Sequence, residues 1–472
     1  GANGHTANFG GTGGTVTLGS DMGTSGAYPN SINVTAGNYV LDLNSLGLAW
    51  RGSGLTISSG ATLTIQNGTV TILNTGVSVT GTNALTISAK VTEVSAGTSF
   101  SKFGAGDITL TNNANDFTGK LFGQNGGTVS FSSIANGGVA SAVGAGSIVE
   151  TGFNNTMRYT GGAASTNRTL SLVGSGGSTF KNDGTGALVW AGAFANTKTD
   201  ANTLNLGGSN TGANDFQGAI INSTNAGQAL SVNKQDAGTW ILSGANTYSG
   251  GTTVSAGTLS FGSTTAIGTG AMTLSGGNLD SSVANLVNAN NNAQNWNSNF
   301  TFVGTQSLNL GTGAVTLNAM RQVSVTANTL TVGGAIAGSG FGLTKAGAGV
   351  LSLSGANTYT GTTTLSAGTL RADAADVPAT SGALGNGGTI TFTGGTLQYT
   401  ANSAATDYST RISSSTAAAI KLDTNGQNVT LGTALSSSNT GGLTKEGAGQ
   451  LELKMSANTY TGTTTINGGT LK

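Results

Sequence analysis

The sequence predicts an all-β fold, an elongated parallel β-solenoid, on three observations. Only 7% of its 472 residues are charged, against about 25% in an ordinary soluble domain, while 36% are hydrophobic and the net charge is zero. Disorder goes with high net charge and low hydrophobicity, so this chain folds and covers itself with neutral polar groups. Short apolar-x-apolar segments recur along it, the period-two alternation of a strand with one buried face. A motif of about 28 residues, rich in Gly, Asn and Thr, returns four times, as in arrays of stacked repeats.

The repeats are read directly. Leu343 to Leu370 is LTKAGAGVLSLSGANTYTGTTTLSAGTL, and Leu443 to Leu471 is LTKEGAGQLELKMSANTYTGTTTINGGTL. Val232 to Leu259 and the more diverged Ser101 to Val129 share the same pattern, and a weaker copy begins at Phe180. Aligned on Lys102, Lys234, Lys345 and Lys445, each copy has Gly four residues on (Gly106, Gly238, Gly349, Gly449). An apolar pair comes next, such as Leu351/Leu353, and then Asn-x-aromatic: Asn115/Phe117, Asn246/Tyr248, Asn357/Tyr359 and Asn458/Tyr460.

Gly and Asn take left-handed backbone angles at low cost and so make corners. The apolar pairs are inward faces of strands stacked at about 4.8 Å. At roughly 20–25 residues per coil, the chain would give on the order of 20 coils and a rod of about 100 Å. Ala284 to Asn297, Asn-rich and without an apolar face, is read as a loop. Three echoes, Ala142 to Gly146, Ala266 to Gly270 and Ala383 to Gly387, each precede a short strand. We expect one continuous solenoid over 1–472, with repeats around 101–131, 180–220, 232–261, 343–372 and 443–472.

The repeat that begins at the recurring Lys resembles the passenger-associated transport repeat of bacterial autotransporters. The resemblance implies a right-handed parallel β-helix carried at the outer surface of a Gram-negative bacterium or outside it. Such proteins end in a membrane β-barrel of about a dozen strands, and no segment here reads as one. The absence of cysteine suits passage through an oxidising periplasm. No run of about 18 apolar residues marks a membrane-spanning helix, so we expect no membrane insertion by this chain. Residues 1–20 show no basic start or apolar run, so no signal peptide is read there. The 17 basic residues form no stripe that would suit nucleic acid.

A search for chemistry nominates no catalytic, metal or cofactor residue. His5 is the one histidine, near the terminus, without the rigid surroundings a triad needs, and is read as frayed and solvated. Asp107 sits in FGAGDITL, which superficially suits a glycine-rich calcium loop, but the other copies place Thr239, Val350 and Gln450 there. The carboxylate pairs Asp373/Asp376 and Glu93/Glu150 are the candidates for glycoside hydrolysis, and the first lies in a short insertion read as a solvated loop. The repeat lysines, 132, 111 and 100 residues apart, are read as coil-edge residues that snorkel over apolar neighbours rather than a polyanion ladder. Trp240, Phe117, Tyr248, Tyr359 and Tyr460 are read as plugs over the core rather than a sugar-stacking stripe. Pairs such as Thr15/Thr17, Thr62/Thr64, Thr69/Thr71 and Thr329/Thr331 suit exposed strands better than an ice-ordering face.

The segment Thr6 to Leu18 matches the continuation of the internal copies beyond their Gly-Thr-Leu ending. Both ends read as uncapped and complementary, which would allow open head-to-tail stacking. We therefore expect a non-enzymatic structural or scaffolding surface protein that self-associates end to end into a filament. The alternative is an adhesin of autotransporter type that binds host or matrix glycans or proteins.

Overall fold

The computed structural model describes the chain apart from residues 1–4, 20–28, 52–54, 59, 75–76, 80–83, 226 and 414–415. Two compact units, Gly1–Gly250 and Gly251–Lys472, divide it. Among the described residues of each there are strands, turns and bends but no helix.

In the first unit, one sheet runs through Asn38–Asp42, Thr62–Gln66, Ala84–Ile87, Asp107–Leu110, Thr128–Phe131, Thr156–Tyr159 and Ser178–Asn182. Every one of these pairings is parallel. A second sheet takes Phe100–Phe103, Leu121–Gly123, Ile148–Gly152, Thr169–Val173 and Phe194–Asn196. A chain that returns to the same sheets after each coil, always parallel, is a β-solenoid. The register stacks like on like. Leu63, Leu85, Ile108, Val129, Met157 and Phe180 form one inward row, and each is at most 1% exposed.

The second unit repeats the plan. One of its sheets runs through Thr329–Val332, Val350–Leu353, Thr369–Ala372, Thr396–Gln398, Ile420–Asp423 and Leu443–Glu446. Leu330, Leu351, Leu370, Leu397 and Leu422 stack in register along its inner face and are fully buried. Burying one such side chain stabilises by about 1.5–3 kcal/mol, so every coil brings its own share of core. Register offsets range from 19 residues, Leu351 against Leu370, to 28, Val129 against Met157. The longer coils are those that carry loops.

Close stacking explains the corner glycines. A Cβ at Gly361 would stand 2.3 Å from the Phe341 carbonyl carbon, and one at Gly349 2.7 Å from Val325 Cγ1. No larger residue fits beneath the preceding coil. The asparagines of the Asn-x-aromatic corners act through their side chains rather than through left-handed backbone, for none of Asn115, Asn246, Asn357 and Asn458 has a positive φ. Asn357 Oδ1 accepts the Ile336 N–H of the preceding coil (2.8 Å), and its Nδ2 donates to the Ala383 carbonyl of the next (2.7 Å). Asn115 does the same with Val91 and Ala142 (2.7 and 3.0 Å). Phe117, Tyr248 and Tyr359 are fully buried beside them, whereas Tyr460 is half-buried.

Two expectations need correction. Ala284 to Asn297 is not a plain loop, for it contains the strands Leu286–Val287 and Gln294–Trp296. Trp296 is fully buried there, and the buried Asn288 Nδ2 donates to Asn292 Oδ1 (2.9 Å), a polar contact that an apolar count ignores. The terminal residue His5 opens a strand, His5–Phe9, whose backbone pairs with Pro29–Val34 rather than fraying. The His5 side chain lies outside the described residues.

Candidate functional site

The recurring lysines are inside the solenoid, which overturns the snorkelling expectation. Lys345 stands in an inward row between Val323 and Leu365. Lys445 stands likewise between Leu422 and Ile466. Lys102, Lys234, Lys345 and Lys445 are all fully buried. Each ammonium bends into the adjoining turn and donates to its carbonyls. Lys345 Nζ reaches Ala346 O (2.8 Å), Gly347 O (2.7 Å) and Ala367 O of the next coil (3.0 Å). Lys445 repeats this on Glu446, Gly447 and Gly468. Burial pushes Lys102, Lys198, Lys234 and Lys345 down to about 8 and lowers Lys445 as well. In the weaker copy near residue 180, Asn182 fills the corner instead and donates to Gly186 O (2.9 Å). These are structural donors with no face toward a ligand.

The three echo segments are one recurring turn. Gly144, Gly268 and Gly385 all have positive φ (77°, 61° and 72°). Each donates its N–H three residues back, to Ser141, Thr265 and Gly382 (2.8, 3.1 and 3.1 Å). Before two of these turns the chain carries an inserted loop, and an arginine of the following coil holds it. Arg168, fully buried, donates to the carbonyls of Ala135 (2.7 Å), Val139 (3.0 Å) and Gly144 (2.9 Å). Arg411 donates to those of Gly388 (2.9 Å), Gly385 (3.2 Å) and Leu384 (2.5 Å).

The second loop, residues 373–387, walls a cavity of about 680 Å³ with the segment 402–411. Asp376 organises it. Its Oδ1 accepts from Tyr408 Oη and Ala383 N, both at 3.1 Å, and its Oδ2 faces Arg411 Nη1 at 3.7 Å. Burial raises the Asp376 carboxyl above the usual range, against the opposing pull of Tyr408, Arg411 and the Ala383 N–H. Asp407 holds the far wall, where its two oxygens take the N–H groups of Ser409 (2.8 Å) and Gly432 (2.9 Å). Asn386 and Asn402 also line the space. The solvated-loop reading of Asp373/Asp376 is thus corrected. Asp376 is a partly buried anchor, and Asp373 takes a bond from Asn402 Nδ2 (3.1 Å).

The other candidates are not brought together. Glu93 accepts from Thr118 Oγ1 (2.5 Å), while Glu150 pairs with Lys120 and Ser171. Asp107 Oδ1 takes the Thr128 N–H (2.7 Å). Among the described residues no three His, Cys, Asp or Glu side chains cluster as metal ligands would. Trp240 is fully buried and donates to Gly207 O (2.9 Å). Thr64 stacks on Thr86 and Thr109 of later coils, and Thr69/Thr71 lie in a different sheet from Thr62/Thr64. Sequence reasoning missed Arg411, Tyr408 and Asp407. The one available signal was the insertion ADAADVP, which carries one of the two prolines.

Four segments of the chain, residues 100–133, 232–261, 343–372 and 443–472, match the family model described as passenger-associated-transport-repeat. Over 348 residues the chain is 33% identical to the adhesin BmaC autotransporter of Brucella suis biovar 1 (strain 1330). That alignment takes in 67% of this chain and 9% of that protein, so the chain spans a small part of its relative's length. No solved structure matches with significance. The lysine-cornered coils are therefore passenger-associated transport repeats, set in a parallel β-solenoid that is similar in sequence to part of an autotransporter adhesin.

Proposed function

We propose that the chain is a surface-exposed passenger segment of a Gram-negative bacterium and works as an adhesin, without catalysing a reaction. The observation that carries this reading is the 33% identity over 348 residues with an autotransporter adhesin. The geometry supports it, since stacked side chains fill the inner rows and leave outward faces and clamped loops for a partner. Beads coated with the chain should adhere saturably to host cells or matrix-coated surfaces, and soluble chain should compete. Adherence no greater than that of beads carrying an unrelated protein overturns the reading.

A second reading, the self-associating scaffold, draws on the interchangeability of the coils. Leu343 and Lys345 pair with Thr363 and Leu365 in the register in which Leu443 and Lys445 pair with Thr464 and Ile466. A coil face of one molecule could then accept a coil of another through the same parallel ladder. Particles that lengthen with concentration in light scattering and negative-stain images would favour it; particles of fixed length at all concentrations would sink it.

A further inference from the structure

We propose that the cavity between residues 373–387 and 402–411 binds a short neutral saccharide, an inference that rests on the adhesive reading above. The cavity is built rather than incidental. Asp376 is fixed by Tyr408, Ala383 and Arg411, and Arg411 by three carbonyls. Side chains held in this way lose little freedom when a ligand arrives. Its volume of about 680 Å³ lies within the range of small-ligand sites.

Charge selects the ligand class. Among the described residues Arg411 is the one cation in the lining, against the carboxylates of Asp376 and Asp407. All three guanidinium nitrogens already donate to backbone carbonyls. A phosphate, a sulfate or a sialic acid would meet two carboxylates against one guanidinium whose every nitrogen already serves the protein. A sugar hydroxyl can donate to the Asp407 carboxylate, whose oxygens keep lone pairs beyond those that serve Ser409 and Gly432, and accept from the second N–H of the Asn386 amide, the first being given to Ala379 O (3.2 Å). Val377, 54% exposed, and Pro378 offer an apolar ridge for the C–H face of a ring. A peptide adding as a strand finds no edge here. Val377 N already bonds to Ser381 O (2.7 Å), and Asn357 and Gly382 exchange both backbone bonds (3.0 Å each).

The test uses the whole chain on an array of immobilised neutral and sialylated oligosaccharides, with Ala405→Trp and Asp407→Ala as variants. Ala405 is exposed and lines the cavity, so an indole there fills the space without removing a bond. Melting curves establish that each variant is folded. The wild-type chain should retain a subset of neutral glycans, and at least one folded variant should lose about tenfold in affinity, the factor of one lost polar contact. Preference for sialylated glycans, unchanged binding by the folded variants, or retention of no neutral glycan each overturns the proposal. Adherent beads with no retained neutral glycan would leave the adhesive reading standing and remove this one alone. Capture of a peptide that Ala405→Trp abolishes, with no glycan retained, would reassign the cavity.

Discussion

Lys345 puts a charge where a leucine would pack, and its ammonium is stabilised by carbonyls of the turn it supports and of the next coil. Burial pushes it down to about 8, whereas in the unfolded chain it titrates near 10.4. Between those values the unfolded chain binds more protons than the folded one, so stability rises with pH. Lys102, Lys198 and Lys234 act in the same sense. Tyr359, pushed up to about 12 by burial, acts oppositely, because above about pH 10 the unfolded tyrosine ionises first. The urea midpoint should therefore climb from pH 7.5 to about 9.5 and then level or turn down. Lys345→Met keeps the length but removes the titration, so it should flatten part of that slope. At pH 7 two effects oppose each other, since three carbonyls lose a charged donor while the burial penalty of the ammonium disappears, so the net cost should fall below the roughly 2–3 kcal/mol of the lost bonds alone. A profile that is flat between pH 7.5 and 9.5 would mean that those carbonyls offset the whole burial penalty.

At the scale of elements, the inserted loops are held by residues of the next coil rather than by their own. Arg168 ties the segment 135–144 through its carbonyls, and removing the guanidinium leaves those acceptors unserved, at a cost of about 1–3 kcal/mol for each that stays buried without a donor. Arg168→Ala should speed hydrogen exchange and proteolysis within residues 135–145. The ladder of Leu121–Gly123 against Ile148–Gly152 should stay protected, because its bonds do not involve the loop. Equal protection of the loop in both proteins would show that its internal turn bonds suffice. This dependence on the next coil separates what was legible in the sequence from what was not. The strands were legible because alternation at period two needs only neighbours, and the corners because Gly and Asn return there at fixed spacing, although the motif asparagines work by side-chain bonds to adjacent coils rather than by left-handed backbone. Arg168 lies 24 residues beyond Gly144, and Arg411 lies 26 beyond Gly385, so no local pattern links either clamp to its loop. The lysines misled for another reason. A long cationic side chain ordinarily keeps its head in water, and only a corner rich in inward carbonyls reverses that preference. The cavity was invisible for the first reason, since its two walls, 373–387 and 402–411, meet only through coil stacking.

Across the whole molecule, charge contributes little to cohesion, and this gives an opposite expectation for salt and for core volume. The ion pairs Lys90–Asp116, Arg158–Asp183 and Lys472–Glu452 are partly exposed, and such pairs are worth about 0–1 kcal/mol each. With 17 basic and 17 acidic residues in 472, the molecule also has little self-repulsion for salt to screen. Its cohesion lies in rows such as Leu330, Leu351, Leu370, Leu397 and Leu422. Leu370 stands in register between Leu351 and Leu397 of the adjacent coils, so truncating it opens a cavity that those coils share. Leu370→Ala should therefore cost about 2–5 kcal/mol, read as a fall in the urea midpoint. Raising sodium chloride from about 0.05 to about 0.5 M, which shortens the screening length severalfold, should move the same midpoint by the equivalent of less than about 1 kcal/mol. A salt response as large as that of Leu370→Ala would place the cohesion in the ion pairs. The buried lysines would not explain such a response, because their partners are carbonyl dipoles a hydrogen bond away, inside the screening distance at either concentration.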